Sequence, residues 1–540
     1  MTPRNRRELP ADINELVIAL REGKVSTTAA TVELAATAAA MVAQRTASSL
    51  LLVAPTSSIA DRVGALVKWL LAQGSVPYDF PRWPRFADSP YEEVVESPYI
   101  AASRLGALGT FALSDFPFVL TLDAPSLARR TVPFESFMEG VQYLQVGREM
   151  DRDEFADLLI ANGYRRNQTV AEVGEFAVRG GVVDLFSPYA DDPVRVDLDG
   201  DTIASLKYFD AATQRAQRSL QATWVVPAWE VPADEDRRRQ VSINLADAAS
   251  ALRVPTKEVA MIEAQFEIGR TPPAFASILP LLYKNLDLPS AYLGEDVMVA
   301  VIDPPGCIAA VSAAQDELRA QFEELGEDRR FVAPPEALVC DGDTLLAELT
   351  GRAKSLTMDI GLDGVLGQIP TFARTATLVK ATTGDVPVSE KVAGLLELTK
   401  ELNQEGGRLI VVAPSEPEQR RIRDILTAEG LQPTIASSNG LNAILDVKAS
   451  VSVGIGRLRT VVGFDSLGVL LIPSELIFGL KDYVGSRRKE RRGVLPGVRE
   501  LEHGDLVVHR DHGIGEYQGL MEFQVDGRTT ECLVIVYKAG

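Results

Sequence analysis

The amino-acid sequence predicts a multidomain chain, mainly α/β, with an α+β insertion and a small β-barrel at its end. Three observations lead there. At 540 residues the chain exceeds what one hydrophobic core serves. Compact apolar runs alternate with amphipathic helical patterns, which is the order of parallel α/β architecture. Two stretches break that order with turn-rich, strand-like patterns, one beginning near Tyr143 and one in the last forty residues.

In chain order, DINELVIALREGK and TAATVELAATAAAMVAQ carry helical apolar spacing. SLLLVAPTS (49–57) is a short apolar run closed by Pro and small polar residues, which suits a buried strand. IADRVGALVKWLLAQ follows as an amphipathic helix, with Ser57 or Ser58 as its cap. The helical YIAASRLGALGTF leads into a second strand, FPFVLTLDA. EFADLLIANGYRRNQTVAEVGEFAVRGGVVDLFSP then reads as a helix and two strand-like runs, with Gly180-Gly181 as a bulge or tight bend. VRVDLDGDTIASLKYFD adds a hairpin around Asp199-Gly200.

From about 230 to 370 the α/β pattern returns, with strands expected in VMVAVIDPP and RFVAPP. A third α/β unit spans about 375 to 475. There Ser389 is expected to cap EKVAGLLELTKELN, and Gly406-Gly407 to end that helix. Strand RLIVVAP, helix EPEQRRIRDILTAEGL and strand SLGVLLIPS follow. KDYVGSRRKERRGVLPGVRE reads as a polar, basic linker. The final forty residues combine dense Gly turns with short apolar strands, as a small barrel requires. The resulting limits are 1–142, 143–229, 230–372 and 373–475, a linker at 476–500, and a terminal β unit at 501–540.

A formal net charge of −20 argues that most of the chain does not grip a phosphate backbone, and favours protein partners. No apolar run approaches the roughly 20 residues that span a bilayer. The basic start, MTPRNRRELPADINEL, lacks the apolar region of a secretory signal. Three scattered cysteines, Cys307, Cys340 and Cys532, fit a reducing cytoplasm better than a disulfide framework or a zinc site.

Catalytic patterns are missing. APTSSIADR (54–62) sits between a strand and a helix, where a phosphate loop would sit. It lacks the glycines that cradle phosphates and the lysine that reaches them, and GIGRLR and GEDRR fail the same pattern. No cofactor is therefore expected on this chain. There is no HExxH, no GxSxG and no cysteine with a catalytic partner. His503, His509 and His512 all fall in the terminal unit, without the further ligands a metal would need.

Arg165, Arg166 and Arg179 recur in the strand-rich unit. Alternation through EFAVRGGVVDLF puts Phe176 and Val178 on one face and Ala177 and Arg179 on the other. Read alone, this is a solvated β face. The basic run Arg487, Arg488, Lys489, Arg491 and Arg492 is short and has no aromatic platform, so it reads as a solvated linker.

YRRNQTVAEVGEFAVRGGVVDLFSP (164–188) resembles the second domain shared by the damage-recognition protein UvrB and the bacterial transcription-repair coupling factors. The resemblance implies an inserted α+β domain that binds UvrA, with Arg165 or Arg166, Arg179 and Phe186 carrying the contact. Arginine suits that role, because its planar fork pairs bidentately with carboxylates. FSP stands here where many relatives have FPA or FPP. FPRWPRFADSPYEEVVESPYIAASRLGAL (80–108) is similar to the same family's upstream signature, which implies a helicase-like α/β domain with a degenerate nucleotide loop. No tyrosine-rich hairpin of the UvrB kind accompanies it, which favours the coupling factors.

GDLVVHRDHGIGEYQGL (504–520) resembles the RNA-polymerase-interacting domain of coupling factors and CarD-like regulators, a Tudor/SH3-like barrel. Gly513, Gly515 and Gly519 would allow its bends, and Val507, Val508, Ile514 and Tyr517 would fill its core. The resemblance implies that Phe523, with Leu520 and Arg510, meets the polymerase β subunit. Taken whole, it implies a non-catalytic, monomeric, cytoplasmic adaptor region that touches DNA only weakly. The ATP and Mg of the family's motor would lie on a segment this chain lacks, and the chain is expected to stop inside an unclosed barrel. The rival readings are a divergent nucleotide-binding α/β enzyme and a polymerase-binding transcription regulator.

Overall fold

The structure, a computed structural model, describes residues 13–361, 387–478 and three strands within 506–536, apart from short internal stretches of which 436–448 is the longest. It divides into two units, Met1–Gly479 and Leu480–Gly540.

The first unit opens with β1 (Val25–Ala29), β2 (Leu50–Ala54) and β3 (Val119–Asp123). An insertion follows, holding β4 (Gln142–Gln145), β5 (Arg165–Arg166), β6 (Glu175–Arg179), β7 (Val182–Leu185), β8 (Val194–Asp199), β9 (Thr202–Phe209), β10 (Ala216–Leu220) and β11 (Ala222–Val225). After it come β12 (Met298–Ile302) and β13 (Ser355–Ile360), which return to the first sheet. That sheet has the order β1-β13-β12-β2-β3 and is parallel throughout. LLLVA in β2 and MVAVI in β12 are buried at every position, as strands covered on both faces must be.

The apolar runs locate β2, β3 and β12. RFVAPP departs from its expectation: Phe331, Val332 and Ala333 are buried, but they lie in irregular chain, where the Ala333 N–H donates to the Ser277 carbonyl at 2.8 Å. Apolarity there serves burial rather than pairing. β1 and β13 escape the apolar pattern because VSTTA and SLTMDI bury small polar residues, Thr27 and Ser355, in place of aliphatic ones.

A second sheet follows from β14 (Arg408–Ala413), β15 (Thr434–Ile435), β16 (Val451–Ile455), β17 (Val462–Phe464) and β18 (Val469–Pro473). Its order is β15-β16-β14-β18-β17, parallel except for β17. The two sheets share a core. Leu50, Leu52, Ala300 and Ile302 of the first join Ile410, Val412, Val469 and Leu471 of the second around the helix Val32–Thr46. Every residue of that helix from Glu33 to Ala43 is buried, and alanines fill most of those positions. A helix enclosed on all sides needs side chains this small for close approach.

Local chemistry sets the helix ends. Thr56, rather than Ser57 or Ser58, caps the helix Ser57–Leu71: its carbonyl accepts the Ala60 N–H at 2.9 Å and its hydroxyl the Ile59 N–H at 3.4 Å. Ser389 falls inside the helix Val388–Gln404, where the Pro387 carbonyl accepts the N–H groups of Glu390 and Lys391 at 3.0 and 3.1 Å. Gly406, with φ +75°, ends that helix as expected.

The second unit contains β19 (Leu506–His509), β20 (Gly513–Val525) and β21 (Arg528–Val536), an antiparallel meander. Its register shifts between Tyr517 and Gly519, a bulge at one of the glycines expected to bend the chain. The basic run from Arg487 to Arg492, and Arg510, lie outside the described residues.

Candidate protein-interaction face

The inserted sheet has the order β10-β9-β8-β7-β6-β5, with only the β5–β6 pair parallel. β4 and β11 pair antiparallel, so the chain enters and leaves the insertion side by side. Gly180-Gly181 forms the two-residue turn between Arg179 and Val182, with Gly180 at φ +60°, which makes it the tight bend rather than a bulge. Phe176, Val183, Leu185, Val194, Val196 and Leu206 pack with Phe155 and Leu159 of the helix Arg152–Ala161. The period of two turns Ala177, Arg179, Asp184, Arg195 and Lys207 to the opposite face.

Asp184 organises that face. Its side chain is fully buried and accepts two bonds from Arg195, at 2.7 and 2.8 Å, and one from Arg179. One carboxylate thus holds two guanidinium groups, leaving an excess positive charge. Arg179 remains 49% exposed despite the pairing. Arg195 also lies over the Phe209 ring, 4.9 Å from its centroid, and its hydrogen bonds to Asp184 raise its pKa above the ordinary value. Beside it, Val170, Ala177 and Phe209 form a small buried cluster, against which the half-buried Phe186 packs.

Arg165 and Arg166 are exposed on β5, the last strand of the sheet. Arg165 reaches Glu172 at 3.5 Å and Glu175 at 3.8 Å. Glu175 is already held by the backbone N–H groups of Ala171 and Glu172, both at 2.9 Å. Register sets Arg165 beside Glu175, on the Arg179 face, and Arg166 beside Phe176 and Leu185, on the opposite face of the edge strand, so the structure brings Arg165, Arg179 and Phe186 to one side of the sheet and Arg166 to the other. Asp184 and Arg195 were not singled out by sequence. Their one signal is the alternation of VVDL and VRVD, which turns both away from the apolar face.

The rival nucleotide site takes a different form. Ligands of parallel α/β sheets bind beyond the carboxyl ends of the strands. Here only Pro55 and Thr56 separate β2 from its helix. The strands on either side end in carboxylates: Asp123 accepts the Ser126 N–H at 2.9 Å and Asp303 the Gly306 N–H at 3.2 Å. Two acids at that edge repel phosphate. Burial, with Asp303 and Asp123 adding to it, pushes the Cys307 thiol up to about 12, and burial pushes Cys340 up to about 11, so neither is a ready nucleophile. Among the described residues no cluster of His, Cys, Asp or Glu could hold a metal, and no helix is long and apolar enough to cross a membrane. Leu520 and Phe523 lie on β20, opposite Leu533 and Thr530 of β21.

Residues 143–230 match the family described as the UvrB interaction domain, and residues 501–540 that described as the CarD-like/TRCF RID domain. The transcription-repair-coupling factor of Escherichia coli (strain K12) is 27% identical over 521 residues, 93% of this chain and 42% of its own. That of Myxococcus xanthus is 26% identical over 467 residues, 83% of this chain and 38% of its own. The chain is homologous to the transcription-repair-coupling factors. The coupling factor of Bacillus subtilis (strain 168) is similar too, 24% identical over 477 residues, 83% of this chain and 38% of its own. The chain thus spans 38–42% of the length of these coupling factors.

Proposed function

We propose that this chain is the non-catalytic adaptor region of a coupling factor. It offers its inserted sheet to UvrA and its terminal strands to the β subunit of RNA polymerase, so that polymerase stalled at DNA damage recruits excision repair. The observation that carries this reading is the Arg179–Asp184–Arg195 cluster, which presents Arg179 to solvent on the domain that matches a repair-protein interaction family. Asp184 holds the Arg179 fork in place, so little side-chain entropy is lost when a partner carboxylate binds it. Arg165 and Phe186 complete the UvrA contact, Phe186 as its apolar anchor. Phe523, Leu520 and Arg510 serve the polymerase contact, on strands that begin a Tudor/SH3-like barrel.

The first α/β domain is a helicase-like fold whose nucleotide edge has turned acidic. In the intact protein the ATP-dependent DNA translocase lies on other residues, and this region, with its charge of −20, contributes little to DNA binding. The setting is the cytoplasm, and the chain acts as a monomer.

Arg179→Ala should weaken UvrA binding about tenfold to a hundredfold, the loss of one charge-assisted contact, while Asp184 keeps Arg195 and the sheet stays folded. Calorimetric titration of UvrA into native chain and variant measures it. Equal affinities would remove this face from the contact.

A further inference from the structure

Two buried carboxylates underlie the UvrA face. Asp184 holds Arg179 and Arg195. The second, Glu175, is 7% exposed and stands 3.8 Å from the Arg165 guanidinium. Three further donors converge on it. Ala171 and Glu172 direct their backbone N–H groups to Oε2, both at 2.9 Å, and Asn167 donates its side-chain N–H to Oε1 at 2.5 Å. Residues 167–174, which join β5 to β6, thus close around a single acceptor, and backbone N–H groups withdrawn from water need one.

That loop supplies the floor of the apolar anchor. Val170 is fully buried in a cluster with Ala177 and Phe209, and Phe186 packs against it. Gln214 donates its Nε2 N–H to the Val170 carbonyl at 2.9 Å. The Phe186 backbone is tied to the same stretch, its carbonyl accepting the Gly174 N–H at 2.8 Å and its N–H donating to the Glu175 carbonyl at 2.9 Å. Without the carboxylate, two backbone N–H groups and one side-chain amide lose their acceptor, and the loop must open to water to satisfy them. Val170 then leaves its place against Phe186.

We propose that Glu175 is a positioning residue of the UvrA contact: its carboxylate folds residues 167–174 so that Val170 supports Phe186. Being buried, Glu175 acts through these residues and meets no partner itself. This role rests on the adaptor reading and adds to it a residue outside the contact surface. Geometry and charge can be separated. Both backbone bonds fall on one oxygen, so Glu175→Gln keeps them through its amide oxygen. The charge it gives up faces Arg165 across a long, half-exposed pair, which contributes little.

The test is calorimetric titration of UvrA into the native chain, Glu175→Ala, Glu175→Gln, Phe186→Ala, Arg179→Ala and the double variant Glu175→Ala with Phe186→Ala. A melting curve of each fixes a temperature at which all are folded. Glu175→Ala should bind UvrA about tenfold more weakly, and Glu175→Gln nearly as the native chain does. Once Phe186 is gone, adding Glu175→Ala should cost little more, because both changes remove the same anchor. Losses that simply add, or native affinity in Glu175→Ala beside a weakened Phe186→Ala, would overturn the role of Glu175 and leave the adaptor reading standing. Native affinity in Phe186→Ala and Arg179→Ala alike would overturn the adaptor reading, and this role with it. Should Glu175→Ala not fold, Glu175→Asp takes its place: it keeps the charge but withdraws the carboxylate from the loop by one methylene, and the same outcomes decide.

Discussion

Arg104→Ala should destabilise the first unit by about 3–5 kcal/mol, the range for removing one partner of a buried ion pair. Arg104 lies on the helix Pro98–Leu113 with its side chain 5% exposed. It donates two bonds to Glu96, at 2.7 and 2.6 Å, and three to Glu230, at 3.1–3.2 Å. Glu230 follows β11 at the exit of the insertion, so the pair ties the inserted domain to the first. The same helix lies so close to the insertion that a Cβ at Gly106 would run into the Pro188 carbonyl. This gives SRLGAL a physical meaning: a buried cation and a close backbone approach in one turn.

The loss should depend on pH, with a definite sign. Burial raises the Glu230 pKa, and Arg104 opposes that rise. Without Arg104 the folded-state pKa climbs further above the unfolded value of about 4.3. A raised carboxyl pKa disfavours the folded state as pH rises from the unfolded pKa through the folded one. The deficit of Arg104→Ala against the native chain should therefore be small near pH 4 and full at neutral pH. Arg129 nearby is half-buried and pushed down to about 10, by desolvation first and Arg104 second, so its relief in the variant sets the lower end of the range. Denaturant titrations of both proteins between pH 4 and pH 8 measure this. A deficit that does not vary with pH would mean that Glu230 is not its source.

Gly456→Val should cost about 3 kcal/mol by overpacking the junction between the two parallel sheets. The Trp69 indole N–H donates to the Ile455 carbonyl, and a Cβ at Gly456 would run into the indole ring. The Gly456 N–H is fixed on the Ala413 carbonyl at 2.8 Å, so the backbone has little room to retreat. Thermal melts and tryptophan emission should report a less stable unit with Trp69 in a wetter setting. Adding Trp69→Ala should recover part of the loss, since the clash and its partner go together. A Gly456→Val chain that melts like the native one would show that the sheets are not held by this contact.

Sequence reading was strongest where one physical rule dominates. Continuous aliphatic runs mark strands buried on both faces, which is why β2, β12, β14 and β18 were legible, and the three apolar residues of the edge strand β3 carry enough of the same signal. β1 and β13 were not, because their pairing comes from position in the sheet rather than from apolar composition. The caps are not Ser57 or Ser58 and not Ser389, since Thr56 and Pro387, one and two residues earlier, accept the first free N–H groups of their helices. At the candidate site the exposed arginines could be read from alternation and family resemblance. Asp184 could not, since a carboxylate shared by Arg179 and Arg195 exists only once β6, β7 and β8 are paired.

The adaptor reading meets its most direct test in a bridging measurement. RNA polymerase is immobilised, UvrA is added with and without the full chain, and retained UvrA is quantified. Retention is expected only when the chain is present, with Arg179→Ala losing UvrA but keeping the chain on polymerase. Retention that needs no chain, or a chain that binds either protein but never both together, would contradict it.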